Sequence, residues 1–195
     1  MNYSFVSFAK RDFTTIVPLM FLTIIIIMWL LLKTAVGTFS TVLVVASSIA
    51  ATMGVAGWFG MFMSTATVNV PTMVMTLAVA DCIHVISTML YGMRQGKDKK
   101  QALVYSLSLN KKPIFITSAT TSVGFLTLNF AAVPILADLG NLTALGVIFA
   151  CIFSLTILPA LIMVLPIKPL PKQTSSYKLG YTEKFGDWVI THHKS

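Results

Sequence analysis

The sequence predicts an all-α membrane protein, a polytopic helix bundle with five transmembrane helices and short interfacial helices. Of its 195 residues, 56% are hydrophobic and only 10% are charged, and the mean hydropathy is +0.85. Soluble domains carry about 25% charged residues. The apolar residues form runs of about twenty, the length that a helix needs to cross a hydrocarbon core of roughly 30 Å. The basic residues lie in clusters between apolar runs, as expected for loops that set membrane orientation.

Composition also argues against several classes of protein. The formal net charge of +8 does not indicate a nucleic-acid partner, because the basic residues are confined to segments between the apolar runs. Cys82 and Cys151 lie inside apolar runs without a C-x-x-C pattern, so both are expected to be small buried hydrophobic residues. No nucleophile pattern, metal cluster or phosphate-binding glycine loop is found in the sequence, so neither an enzyme nor a cofactor is expected.

The first half of the chain contains three predicted spans. Residues 1–12 are expected to form an amphipathic lead-in, followed by a first span over residues 13–32. The second span, residues 36–58, is rich in glycine, alanine and serine and is predicted to be a packed interior helix. An uncharged link leads to the third span, residues 71–90, which Pro71 begins.

The second half begins with a basic segment, residues 91–112. Its apolar residues, Ala102 and Leu103 among them, favour a short helix that lies on the membrane surface with its apolar side down. Pro113 is predicted to open the fourth span, residues 113–130. Asp138 is predicted to cap the start of the helix that forms the fifth span, residues 142–165, which Pro159 should bend.

The predicted transmembrane domain, residues 13–170, ends in a proline-rich stop, and residues 171–195 are expected to form a tail with an interfacial helix. Five spans place the termini on opposite sides of the membrane. With the N-terminus outside, twelve basic residues face the inner side and two, Lys10 and Arg11, face the outer side. The positive-inside rule therefore predicts an inner-membrane protein with its N-terminus outside and its C-terminus in the cytoplasm. Because that start is unusual, the chain is expected to begin after a further helix and an outer domain.

Asp81 is the principal candidate site residue, because it lies near the centre of the third span. A carboxylate at that depth costs on the order of 2.5 to 3.5 kcal/mol on insertion scales, so it should face other helices or a wet cavity. A medium of low dielectric disfavours the charged form, and a neutral acid needs less solvation than an ion. Asp81 is therefore predicted to gain and lose a proton as the surrounding helices rearrange, although an acid kept only for interhelical hydrogen bonding is the alternative.

Four further residues are candidates for the same proton relay. His84 follows Asp81 by three residues and shares its helical face. It could tune or relay the proton, or it could simply form a hydrogen bond to a hydroxyl group of another helix. The fourth span is dense in hydroxyl groups, of which Thr117, Thr120 and Thr121 are the predicted partners. Serine and threonine often bond their own helix in lipid, so a purely structural role is also open to them.

Several segments together resemble one transporter family. Asp81-Cys82-Ile83-His84 resembles the Asp-x-Ile-His element of the resistance-nodulation-division superfamily. The similarity is greatest to the exporters grouped with the mycobacterial membrane large proteins, a branch that overlaps the sterol-sensing domain. Residues 91–103 are similar to that family's cytoplasmic linker, residues 113–125 to its next helix, and residues 139–161 to the last helix of one half. The resemblance covers roughly residues 13 to 170.

The resemblance implies helices two to six of one six-helix half. The family carries two such halves, each with a large extracytoplasmic domain, and uses the proton gradient to export lipids and amphiphiles. Its proton-relay acid lies in the fourth helix, at the position that Asp81 matches. Many members have a second polar residue beside it, where this chain has Ala80. The expected partners are the lipid bilayer, a hydrophobic substrate, and a second half of the same transporter or a second copy.

Two other interpretations are compatible with the sequence. A membrane sensor or scaffold, like the sterol-sensing relatives, would bind lipid without proton transfer through Asp81. A truncated and inactive piece of a transporter would keep the helices but lack the activity.

Overall fold

The computed structural model describes residues 17–32, 34–61, 64 and 66–167. The predicted lead-in, the first residues of the first span and the tail after residue 167 lie outside the described residues. All regular structure in the described part is helical, which confirms the predicted all-α class. The described residues contain six α-helices, α1 (Val17–Leu32), α2 (Ala35–Trp58), α3 (Val70–Arg94), α4 (Lys99–Leu126), α5 (Pro134–Leu155) and α6 (Ile157–Val164), and short 3-10 turns cover Thr67–Asn69 and Thr127–Phe130.

Three helical segments of the described part are long and apolar enough to cross a membrane, namely Ala35–Trp58, Thr67–Arg94 and Pro134–Val164. They correspond to the second, third and fifth predicted spans. The described part of the first predicted span is apolar but shorter, since α1 has 16 residues. The fourth predicted span is part of a longer helix of mixed character, and this is the main difference from the sequence prediction.

Helix α4 begins at Lys99 rather than at Pro113. The Asp98 carboxylate accepts a hydrogen bond of 2.6 Å from the Gln101 N–H and so caps the helix, which continues through Pro113 for 28 residues. A proline inside a helix removes one hydrogen bond and costs about 3 kcal/mol. Packing on both sides of the proline offsets this cost, since Ala102 is buried before it and Ile114 after it.

The prediction of a surface helix around Ala102 and Leu103 is therefore wrong. Ala102 is fully buried and Leu103 is 5% exposed, because this first half of α4 packs on α3. A Cβ atom built on Gly92 of α3 would lie 3.3 Å from the Ala102 Cβ, so the two backbones approach closely. The Ser106 hydroxyl donates to the Val85 carbonyl of α3 at 2.6 Å and extends the same contact.

Helix α2 uses only one face for packing. Its buried residues include Ser40, Val44, Ser48 and Thr52, spaced by four. Ala46, Ala50, Gly54 and Gly57 point outward, and a Cβ on either of these glycines would meet open space. The predicted packed interior helix is thus packed on one side and exposed on the other.

The last membrane segment is broken at Thr156, three residues before Pro159, as the predicted bend requires. The Lys99 ammonium group of α4 donates to the carbonyls of Met163 (3.0 Å) and Leu165 (2.8 Å) at the end of α6. The prediction that Asp138 caps a helix was wrong, because α5 begins at Pro134 and Asp138 lies inside its second turn. Proline at the first position of a helix loses no intrahelical bond, so it can start the helix earlier.

Candidate functional site

Asp81 lies on the inward face of α3. It is 9% exposed, and it follows the buried Ala78 and precedes the buried Val85 on the same side of the helix. Because helical residues three and four apart share a face, this stripe of packed apolar residues directs the carboxyl group into the bundle. The structure thus places Asp81 between helices, which is where the sequence predicts it.

The surroundings of Asp81 involve residues from three other helices. Cys82 is fully buried and lies beside the Thr41 hydroxyl of α2, and Cys151 of α5 lies beside the Ser118 hydroxyl of α4. Asp81 lies near both thiols. The site is therefore the point where α2, α3, α4 and α5 converge, and the cysteines pack there as small buried groups.

The Asp81 carboxyl group has no hydrogen-bond donor within the described residues. Among the described residues, the fully enclosed side-chain oxygens without a hydrogen-bond partner are those of Thr34 and Ser40. The Asp81 oxygens are not among them, so they are not completely enclosed by protein atoms. An ionised carboxylate without donors is costly to bury, whereas the neutral acid is not. The arrangement is therefore less costly for the neutral acid than for the carboxylate.

His84 is exposed, unlike Asp81, although the two are only three residues apart on α3. It belongs to an outward stripe with Ala80, Ser87 and Tyr91. Its main-chain carbonyl accepts hydrogen bonds from Ser87 and Thr88 at 3.3 and 2.9 Å. The structure thus presents the imidazole on the outer surface of the bundle, whereas the sequence predicted that it shares the face of Asp81.

The predicted threonines of α4 also lie mainly on its outer surface. Thr117 and Thr120 are exposed, and their hydroxyl groups donate to carbonyls of their own helix at 2.9 to 3.0 Å. Thr121 is half-buried. Their role in a relay stays a prediction, but within this bundle Thr117 and Thr120 do not face Asp81.

In the predicted fourth span, the inward hydroxyl groups belong to Ser118 and Ser122, which the sequence prediction did not single out. Ser118 is 8% exposed and lies beside Cys151, while Ser122 is 5% exposed and donates to the Ala144 carbonyl of α5 at 3.3 Å. Ile114, Ser118 and Ser122 are spaced by four residues and therefore share one face of a helix. This pattern in the sequence could have identified the two serines. Among the described residues, no group of three histidine, cysteine or acidic side chains could hold a metal ion.

Comparison with known proteins gives two findings. The sequence model of the MMPL family matches residues 3–183 of the chain. A protein of Methanocaldococcus jannaschii, named "Putative membrane protein MJ1562", is 30% identical over 155 residues, which is 80% of this chain and 39% of that protein. The chain thus spans about two fifths of the length of this relative.

Proposed function

The chain belongs to the MMPL family, and from this premise we propose that it is part of a transporter driven by the proton-motive force. The proposed substrates are lipids or other hydrophobic or amphiphilic molecules, moved outward across the cell's inner membrane. The proposal assigns transport and not an enzymatic reaction. Asp81 is its proton-relay residue.

The observation that carries the proposal is the inward position of Asp81 among four helices. An acid facing lipid would only destabilise the helix, and an acid at a water boundary would not act on its neighbours. Asp81 is 9% exposed, and it lies near the thiols of Cys82 in α3 and Cys151 in α5. An ionisable residue inside a membrane bundle is by default a candidate functional residue, and proton relays are among the roles of such residues.

The proposed mechanism follows from the lack of hydrogen-bond donors to Asp81 among the residues that the structure describes. Protonated Asp81 is compatible with the packing seen here, in which apolar and hydroxyl side chains surround it. Loss of the proton creates a charge that this packing does not solvate, so a different arrangement of α2, α4 and α5 around α3 becomes favoured. Proton binding thus biases a two-state helix arrangement, which is the element that a transporter needs.

The outward face of α3 supports a further helical partner. His84 is a polar ring on a surface that lipid would otherwise cover, and polar side chains within membranes pair with other protein groups. We assign this face to the second half of the same transporter or to a second copy of the chain. His84 would then relay or tune the proton at that junction.

The ends of the helices support the proposed orientation. Gly37 at the start of α2 packs near Ile86 of α3, and the end of α6 is bonded to Lys99. The α1–α2 connection, the α3–α4 connection and the end of α6 therefore lie at one end of the bundle. This end carries Arg94 and the following lysines, and we assign it to the cytoplasm.

Substitution of Asp81 by Asn tests the proposal. The variant keeps the shape of the protonated acid but cannot release a proton, so substrate-coupled proton uptake in proteoliposomes should fall by at least tenfold. Asp81→Glu should restore part of the uptake. Asp138→Asn, which removes a half-buried carboxylate at the other end of the bundle, should leave it unchanged.

Proton-coupled uptake that survives in Asp81→Asn would refute the assignment of Asp81. Lipid binding without any uptake, in the wild type and in the variant alike, would instead support the membrane-sensor alternative. Folding of each variant is checked by its helical circular dichroism and its elution as a single species in detergent.

A further inference from the structure

Ser40 of α2 carries a buried hydroxyl group that has no hydrogen-bond partner among the described residues. The other buried hydroxyl groups of this helix each donate to the main-chain carbonyl four residues earlier, at 2.7 to 3.2 Å, and they belong to Thr38, Thr41, Ser48 and Thr52. A buried hydroxyl group that stays unpaired is costly, so an arrangement that brings water to it removes that cost.

The side of α2 that carries Ser40 is covered by α6. Other helices occupy the neighbouring sides, because Thr38 lines a cleft beside α1 and Gly37 packs against α3. Helix α6 also packs on α2, and its Ile162 is fully buried in the same apolar cluster as Val44. Val44 follows Ser40 by four residues and shares its face of α2. Movement of α6 away from α2 would therefore uncover the Ser40 hydroxyl group.

Ser40 lies close to the level of Asp81 along the bundle. The Thr41 hydroxyl of α2 is beside Cys82 of α3, and these two residues directly follow Ser40 and Asp81 in the sequence. Each residue advances a helix by about 1.5 Å, so Ser40 and Asp81 lie within one helical turn of each other in depth. Water that reaches Ser40 from the cytoplasmic end therefore arrives at the depth of Asp81.

Helix α6 is joined to the rest of the bundle differently at its two ends. At its start the helix is broken at Thr156, where φ is −117° and ψ is −62°, and Pro159 follows three residues later. At its other end the Lys99 ammonium group donates to the carbonyls of Met163 and Leu165 at 3.0 and 2.8 Å. The last carbonyls of a helix have no partner within it, so Lys99 supplies bonds that α6 itself lacks. The start of α6 can thus serve as a hinge and Lys99 as a latch.

From this juxtaposition we propose that α6 is a gate at the cytoplasmic end of the bundle, which turns about Thr156 and admits water to Ser40 when the Lys99 latch opens. The closed arrangement leaves the Ser40 hydroxyl group unpaired, and the two bonds of Lys99 offset this cost. The open arrangement gives the hydroxyl group a water partner and releases the latch, so α6 is a two-state element. The role of the gate as a proton route to Asp81 rests on the proposed function, whereas the movement of α6 does not.

Cysteine labelling of the full chain in lipid nanodiscs tests the gate. Ser40→Cys introduces a thiol of similar size, which is treated with a cationic, water-soluble methanethiosulfonate reagent, and peptide mass spectrometry measures the rate at that position. We expect slow labelling with Lys99 intact and labelling faster by about tenfold or more in Lys99→Met, where tenfold corresponds to about 1.4 kcal/mol in the opening equilibrium. Lys99→Arg, whose guanidinium group can also donate to two carbonyls, should keep labelling slow.

Two controls show whether the opening is confined to α6. Lys100→Met removes the neighbouring exposed lysine and should leave labelling of Ser40→Cys slow. Ser48→Cys, at a fully buried position two turns further along the same face of α2, should stay slow in Lys99→Met. Equal labelling of Ser40→Cys in Lys99→Met and Lys100→Met would overturn the gate. Equal acceleration at Ser48→Cys would show loosening of the whole bundle and would overturn it as well.

Ser40→Ala provides a second test, whose sign is specific to the proposal. Loss of a hydroxyl group that forms a native hydrogen bond loosens a structure, but loss of an unpaired one favours the closed arrangement. Amide hydrogen exchange in residues 157–165 should therefore slow by about fivefold in Ser40→Ala, and unchanged or faster exchange would overturn the proposal. Labelling and exchange both report the position of α6 without transport, so proton uptake that survives in Asp81→Asn would refute the relay and not the gate.

Discussion

Substitution of Gly146 by Ala tests the closest helix contact of the bundle. Gly146 of α5 faces α3 and α2, and a Cβ atom there would overlap the Val74 side chain and lie 3.1 Å from the Thr52 Oγ1. Val74 is fully buried and β-branched, so it has little freedom to move away. An added methyl group in such a packed core costs about 1–3 kcal/mol.

Replacing glycine by alanine at position 146 also raises the helix propensity, and this favourable effect opposes the cost of the overlap. Alanine in a helix interior is more favourable than glycine by about 1 kcal/mol. Gly54→Ala provides the matched control, because a Cβ at Gly54 meets open space. We expect Gly54→Ala to be stabilised by up to about 1 kcal/mol and Gly146→Ala to be less stable than this control by about 1–3 kcal/mol.

Unfolding of both variants in mixed micelles, followed by far-ultraviolet circular dichroism, measures the difference directly. Equal free energies of unfolding for Gly146→Ala and Gly54→Ala would refute the close approach of α5 to α3 and α2. The position of Asp81 would then be in question too, because the same interface carries it.

Two further predictions concern contacts of α4. Ser106→Ala removes a buried hydroxyl that donates to the Val85 carbonyl and should lower the free energy of unfolding by about 0.5–1.5 kcal/mol. Ser108→Ala, which changes an exposed hydroxyl of the same helix, should be nearly neutral; a larger loss in this control would contradict the assignment. Lys99→Met removes both hydrogen bonds to the end of α6 and should speed amide hydrogen exchange in residues 157–165, measured by mass spectrometry. Lys100→Met is the control, and equal exchange in the two variants would show that the ammonium group does not hold α6.

Prediction and structure differ most in where α4 begins. Local rules place a helix start at Pro113, because proline cannot donate a hydrogen bond and follows a basic pair. The helix instead runs from Lys99 to Leu126, since both flanking segments are packed on neighbouring helices. Tertiary packing here outweighs a local preference of about 3 kcal/mol.

The residues around Asp81 were also predicted only in part. The sequence indicated Asp81 correctly as an inward group, because a lone acid in an apolar run has no tolerable place in lipid. It did not distinguish Ser118 from Thr117 on α4, and it placed His84 with Asp81 although the structure turns the imidazole outward.

The sequence by itself therefore determined the helical class, the apolar segments, the basic end of the bundle and the acidic residue in the middle of an apolar run. Only the tertiary structure decided which face of each helix points inward. The physical reason is that lipid and protein interiors are similarly apolar, so a membrane helix carries little of the amphipathic pattern that marks the buried face in water. The close contacts at Gly146, Gly92 and Ser118 settle that orientation.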